Sequence, residues 1–413
     1  MNKYFSLSDK VYDVTERYPE LLEWLVANGF ANLRNDVMRK TIGRTISLEN
    51  ALRSKQLSPE LSEKHMVEVI ETNKETADEA LEESSAQKVD SQAIKVAGVL
   101  PCPIRVQLLE KLDGWLKQEK IDAAYDLHAA SMGIEWLRGQ IAESTDAGEL
   151  ADIYLSAGFS LFFDKDLMGR YMEAGVFADL TGAERLNQHF DNDEISLRDP
   201  LRQYSIIGAV PAIFMVNTEL LGDRPLPKSW ADLLKPEFAN TIALPMQDLD
   251  LFNAVLLNVY DKYGESGVDS LGKNLFAGMH PAQMVKAAKQ KKAEQTPLIT
   301  IMPYFFTCML DAKSPMQAIW PEDGAIISPI FLVTKAASQK KIQPLVDFFF
   351  SKELGELFCF NGKFPSTHPQ VDNHLLPGQK FMWPGWEYIH THDIGAVLEG
   401  ARRIFTDAAG GKL

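Results

Sequence analysis

Cysteine is nearly absent from this chain: Cys102, Cys308 and Cys359 are the only three among 413 residues, far apart and odd in number. That excludes a disulfide framework and a Cys-x-x-Cys zinc or redox pair, and it points to a reducing, cytoplasmic compartment. Long apolar runs are missing too; no window reaches the roughly 18 residues of a membrane span. Positive charge is in deficit. Forty-two Lys and Arg against 57 Asp and Glu leave a formal net charge of -15, which excludes nucleic acid and anionic membranes as partners for the surface as a whole. A local basic pocket is still compatible with that balance. The opening MNKYFSLSDKVYDVTERYPELLEWL has no basic run leading into an apolar core and a small-residue cleavage site, so no secretory signal is expected. No P-loop, GxGxxG, GxSxG or HExxH pattern occurs, so nucleotide-driven and common hydrolytic chemistry find no support. The lysine-rich VKAAKQKKAEQ reads as a solvated helix face.

What is present divides into three regions. Residues 1–70 read as a small all-helical domain. Pro19 leads into LLEWLVANGF, where Leu21, Leu22, Trp24, Leu25 and Val26 supply apolar contacts and Gly29 a stop. Ser58 before Pro59 marks a second helix start. Residues 71–92 are acidic and poor in large apolar groups, an acidic linker. From Ile94 short apolar runs alternate with helical stretches, the mark of an α/β architecture. The expected strands are IKVAGVL, AAYDLHAA, ADIYLSA, SIIGAVPAIFMVN, TIALP, LITIMP and IISPIFLVTK, with IRVQLLEKLDGWLK a helix among them.

PLPKSWADLLKPEFANTIALP (residues 225–245) resembles a run found in type II periplasmic solute-binding proteins of ABC transporters, nearest to the ferric-iron, thiamine, polyamine and phosphonate binders. IWPEDGAIISPIFLVTKAASQKKIQPLVDFFF (319–350) and FNGKFPSTHP (360–369) resemble later segments of the same family, in the same order. The resemblance implies a fold of two α/β lobes joined by a hinge of two crossing strands, preceded here by the small all-α domain. Lobe 1 would comprise 93–208 and 322–413, and lobe 2 would comprise 209–321. The crossings are expected near Tyr204–Val210 and Trp320–Ser328. YPELLEWLVANGFANLRND resembles a helical domain found beside hybrid-cluster and iron–sulfur-repair proteins. Many of those relatives carry cysteines after the Gly-Phe, where this chain has Ala31, Asn32 and Leu33, so a docking or oligomerisation module is expected rather than a redox one.

In such lobes ligands sit outside the carboxyl ends of strands. VAGVLPCPIR ends a strand at Pro101, with Cys102 as helix N-cap, Pro103 at the first helical position and Arg105 one turn in. Free backbone N–H groups and a guanidinium there make an anion cradle. The same helix end lowers a thiol pKa, so Cys102 also reads as a reactive thiol, although no base lies nearby in sequence. Other strand ends place Ser156, Ala157 and Gly158, then Val210 and Pro211, then Met246 and Gln247, then Tyr304 and Phe305 around one cleft. His128, in AYDLHAAS, is a further candidate. Ferric binders of the family usually present two adjacent tyrosines; Tyr304-Phe305-Phe306 offers one, which disfavours iron and suits an aromatic wall against an organic ligand. His390-Thr391-His392-Asp393, with His368 and His374 upstream, reads as packing or surface rather than a metal site. The sequence thus points to a binder of an anionic or organic small molecule that closes two lobes around it, with no cofactor and no metal. It would serve sensing or delivery in the cytoplasm or act as the substrate-binding component of an ABC permease, the helical domain docking a protein partner. An enzyme using Cys102 or His128 on the same fold, and an interaction protein with a vestigial cleft, stand as alternatives.

Overall fold

A computed structural model describes residues 4–55, 57–74, 93–130, 133–246, 249–279, 281–287, 296–309 and 314–412. Contacts divide the chain into two units, Met1–Ala93 with Pro101–Ala124, and Ile94–Leu100 with Tyr125–Leu413. The acidic stretch lies outside the described residues from position 75 to 92.

The first unit is helical. Helices Val11–Arg17, Pro19–Ala27, Asp36–Thr41, Leu48–Ser54 and Pro59–Lys74 enclose Val11, Val14, Leu21, Leu25, Leu48, Leu52, Met66 and Ile70. The second helix stops where expected: Gly29 takes φ +93° and the Phe30 N–H returns to the Leu25 carbonyl at 3.1 Å. The long helix Cys102–Glu119 is grouped with this unit. Val106 enters its core, the Ser58 N–H donates to Glu110, and the Arg105 guanidinium is hydrogen-bonded to His65.

The second unit is built on one mixed sheet. Its strands are β1 (Ile94–Leu100), β2 (Ala123–Ala129), β3 (Ile153–Ala157), β4 (Phe177–Ala178), β5 (Ser205–Asn217), β6 (Ile242–Leu244), β7 (Leu275–Gly278), β8 (Ile299–Pro303), β9 (Met316–Ile319), β10 (Ala325–Lys335) and β11 (Phe381–Met382). The order β2-β1-β3-β10-β5-β8-β6-β7 reads inward as the same pattern from both ends, β2-β1-β3-β10 and β7-β6-β8-β5. Two similar α/β lobes therefore share β5 and β10. Both shared strands are buried along their whole length, which is why they read as unbroken apolar runs rather than alternating ones.

The two longest family-like stretches turn out to hold each other. Ser229 caps the helix Trp230–Leu233 and Asp232 answers in a capping box. Trp230 is fully buried; its backbone N–H donates to the Asp323 carboxylate at 3.1 Å and its indole N–H to the Gly324 carbonyl at 3.0 Å. Tyr263 Oη donates to the same Asp323 at 3.0 Å. These bonds tie the two stretches to each other. Among the described residues no helix is long and apolar enough to cross a membrane.

Candidate functional site

Strand direction places the site. β1 and β3 run parallel, as do β6 and β8, while β10 is antiparallel to β3 and β5 antiparallel to both β10 and β8. The carboxyl ends of the parallel strands in both lobes therefore point toward the middle of the β5–β10 ladder. Flanking strands are missing there: β3 reaches Ile330 on one side, and β8 begins at Ala212 on the other. Pro211 and Pro329 stand in this gap, opposite Ile327 and Ala209. The Ala209 N–H turns away from β10 to the Pro365 carbonyl at 3.0 Å, so residues of its parity do not donate across the ladder and a proline costs no ladder bond. A register shift between Ile330 and Phe331 adds a bend. This is a hinge built of two strands.

The expected site residues have the following places. Ser156 is fully buried, its Oγ donating to the Ala157 carbonyl at 2.7 Å and accepting from the Val99 N–H at 3.2 Å, so it ties β3 to β1. Ala157 pairs with Ile330, and a Cβ on Gly158 would lie 3.1 Å from Ile134 Cδ1, a close packing contact. Val210 pairs with Ser328 beside Pro211. Met246 lies against Gly278, where an added Cβ would come within 2.8 Å of its sulfur. Gln247 lies outside the described residues. Tyr304 meets Trp320 edge-on at 5.3 Å, with Lys363 Nζ 5.2 Å from its ring centre. Phe305 is buried and packs against Phe306 and Phe364. His128, at the end of β2, bonds Asp126 at 2.5 Å and stacks on Trp136 with centroids 4.3 Å apart.

Pro101, Cys102, Pro103 and Arg105 are counted with the helical unit. The helix starts one residue earlier than the expected cap: Pro101 is the N-cap, Cys102 the first helical residue and Pro103 the second. Proline, lacking a side-chain acceptor, leaves the cap unbonded. Arg105 is buried against His65. Of the histidines near the C-terminus, His390 bonds Asp199 at 2.8 Å and His392 stacks on Tyr388 at 4.1 Å, while Asp393 caps the helix Ile394–Ala409. Among the described residues no group of three potential ligands could hold a metal ion.

Sequence reading missed a polar cluster on the carboxyl-end side of both lobes. In lobe 1, Arg138 follows β2, donating to the Ser160 carbonyl at 2.7 Å and to Asp164 at 3.2 Å. In lobe 2, Asn253 lies in the second turn of the helix Leu249–Asn274, which follows β6 and packs against Phe159–Phe162 of lobe 1. Arg402, on the C-terminal helix, donates to Asn253 Oδ1 at 2.6 Å. A guanidinium only donates, so it fixes the amide orientation and leaves Nδ2 as the other atom. That Nδ2 is buried without an acceptor among the described residues, in a side chain of zero exposure. Burial, and then the charge of Arg138, hold the Arg402 pKa below its ordinary value, with Glu135 opposing. No carboxylate pairs with Arg402 among the described residues. The available signal was one asparagine inside the apolar run DLFNAVLL.

With this geometry in view, residues 148–392 match the family described as bacterial extracellular solute-binding protein. They make up more than half of the chain, and the chain belongs to that family. Residues 5–61 match a domain of unknown function (DUF1858). No curated protein matches the chain by sequence. Among solved structures it is similar to the ferric binding protein from Campylobacter jejuni, at 15% identity over 76% of this chain and 99% of that one, with a TM-score of 0.53. It is also similar to the periplasmic binding protein AfuA from Actinobacillus pleuropneumoniae, solved with fructose-6-phosphate, at 14% identity over 77% and 98%, TM-score 0.54. A third is the Trichodesmium protein FutA in complex with iron and citrate, at 13% identity over 78% and 100%, TM-score 0.54. These likenesses establish the two-lobed fold.

Proposed function

We propose that this solute-binding protein closes its lobes on a small anionic organic molecule, bending at β5 and β10 to do so. The observation that carries the choice of ligand is the Asn253 amide, buried with its Nδ2 lacking an acceptor, beside an Arg402 guanidinium with no carboxylate partner, both among the described residues. An unmet buried donor costs about 1–3 kcal/mol, and an oxyanion bound beside it would recover that cost while neutralising Arg402. Closure follows from population shift: contacts from both lobes exist together only in the closed state, so ligand favours it. Two of the structural relatives hold organic anions, fructose-6-phosphate in one and citrate in the other. The scarcity of cysteine, with Cys359 free and buried, supports work in a reducing cytoplasm, as a sensor, a delivery protein or the partner of an ABC permease. In that setting the helical N-terminal unit is the docking module.

The test is thermal-shift screening of small anions and matched neutral solutes, with small-angle scattering to detect closure. An anion should raise the melting temperature and shrink the radius of gyration. Arg402→Ala should weaken its binding roughly tenfold to a hundredfold, the worth of a hydrogen bond to a charged group. Neutral solutes binding as well as anions, or anion binding indifferent to Arg402, would reject the reading.

A further inference from the structure

A cavity of about 950 Å³ opens in lobe 1 near the start of β5, lined by Arg185, Arg198, Arg202, His368 and Phe350 among others. Ser205, where β5 begins, is six residues from Pro211 at the hinge, roughly 20 Å along an extended strand. None of the cleft residues lines this cavity. We infer that it is a second binding site, for a compact polyanion carrying phosphate-type groups.

Three guanidiniums line this cavity on a chain whose net charge is -15. Arg202 is fixed by its neighbours. Its NH1 lies 3.0 Å from Asp179 Oδ2 and donates to the Ala183 carbonyl at 2.8 Å. Its backbone is held in the left-handed region at φ +54°, with its carbonyl accepting from Asp179 N–H at 2.7 Å and its N–H donating to the Asp199 carbonyl at 3.1 Å. Asp179 is already saturated: it also accepts from Thr181 Oγ1 at 2.6 Å and Ser205 Oγ at 2.8 Å. It cannot serve the other two arginines. Arg185 and Arg198 have no acceptor of their own among the described residues.

The opposite wall is equally fixed. His368 Nδ1 accepts from the Gln370 N–H at 3.3 Å, so the neutral ring carries its proton on Nε2. Burial, and then Lys352, hold its pKa below the usual imidazole value, favouring that neutral donor form. Its ring leans on Phe350 with centroids 5.3 Å apart. The segment just before it is laced to β5, Thr367 N–H to the Ile207 carbonyl at 3.2 Å and Thr367 Oγ1 to the Ile206 carbonyl at 2.6 Å. Glu184 and Asp347 also line the cavity, and Asp347 is engaged by Gln343 at 2.9 Å. With Asp179 spent on Arg202, Glu184 and Asp347 stand against Arg185 and Arg198, so the formal charges balance; what favours an anion is that Arg185 and Arg198 have no acceptor among the described residues while Asp347 is already held by Gln343. Arg forks match phosphate oxygens in pairs, and the two forks of Arg185 and Arg198, beside an Arg202 held by Asp179, suit a group with several oxygens better than a single carboxylate.

The experiment is calorimetric titration of the full chain with pyrophosphate at low ionic strength, using inorganic phosphate and sodium sulfate as comparators. Pyrophosphate should bind saturably and more tightly than phosphate, with affinity falling as salt rises. Arg198→Ala and Arg185→Ala, both at exposed positions that the fold does not need, should each weaken it at least tenfold. Arg402→Ala should leave it unchanged, which separates this site from the proposed cleft. No saturable binding in the millimolar range overturns the inference. So does binding lost with Arg402→Ala but kept with Arg198→Ala, or binding unaltered by any of the three.

Discussion

Cys359 shows how little a cysteine's presence says about its chemistry. Its side chain is buried in the helix Lys352–Gly362, with Sγ 3.5 Å from the Asp372 carbonyl oxygen that accepts its hydrogen bond. Burial, and then the charge of Asp372, push the thiol up to about 11, where nucleophilic thiolate is scarce at neutral pH. Iodoacetamide applied to the folded protein at pH 7.5 should spare Cys359 and modify it fully after denaturation, as read by peptide mapping. Fast labelling in the native state would contradict the burial. The linkage has a definite sign. The protonated thiol is favoured in the folded state, so its contribution is intact below pH about 9 and fades as pH climbs toward about 11. Arg105 makes a related point at the same scale. Its place beside Cys102 suggested a ligand cradle, yet the structure pairs it with His65, forty positions upstream. A single sequence shows neighbours along the chain; it does not show which distant residue takes up a guanidinium.

At the level of elements, the capping box at Trp230–Leu233 is a device whose worth can be measured. Burial works against the Asp232 carboxylate, but hydrogen bonds from Lys235, the Lys228 backbone and Ser229 outweigh it and hold the pKa at about 2. Asp232→Ala should cost about 1 kcal/mol, as loss of a capping interaction does, with solvent screening of this partly exposed group keeping it from being more. Because the folded pKa is depressed, the carboxylate's contribution is present above its ordinary value of 3.8 and is lost as pH falls toward about 2. Urea unfolding should therefore show a constant gap between wild type and variant from pH 7 to 5, narrowing below 4; a constant gap down to pH 3 would contradict the assignment. The elements that were legible beforehand share a physical trait. β5, β8 and β10 are buried on both faces and announce themselves as apolar runs bounded by turns. β4 and β11 are two residues long, β9 is half exposed, and none carries a pattern of its own, so they emerge only through pairing with β10 or β5. The polar cluster was invisible for another reason: Arg138, Asn253 and Arg402 come from three separate helices and meet only after the lobes have formed.

For the whole molecule, what the hinge can do depends on how the two shared strands are flanked along their length. On either side of the gap a third strand stiffens the ladder, β3 beside β10 and β8 beside β5. Between them no third strand pairs with the ladder; the flanking bonds there are those of the 365–367 segment to β5, Ala209 N–H to the Pro365 carbonyl and Thr367 N–H to the Ile207 carbonyl, so twisting is less restrained than beside β3 or β8. Pro211 and Pro329 restrict that freedom by fixing one dihedral in each strand, and they restrict the unfolded chain as well. Replacing both with alanine should lower stability by about 1–2 kcal/mol in total, at roughly 0.4–1 kcal/mol each. It should also widen the range of lobe angles in the unliganded protein. A smaller share of molecules would then be ready to close, and the apparent dissociation constant of a cleft ligand should rise several-fold with its stoichiometry unchanged. Scattering and calorimetry on the double variant distinguish this from simple tolerance. A broadened distance distribution together with weaker binding makes the prolines part of the closing mechanism. An unchanged distribution and affinity, with only the stability loss, would mean that they occupy the gap merely because no neighbouring strand needs their missing N–H groups.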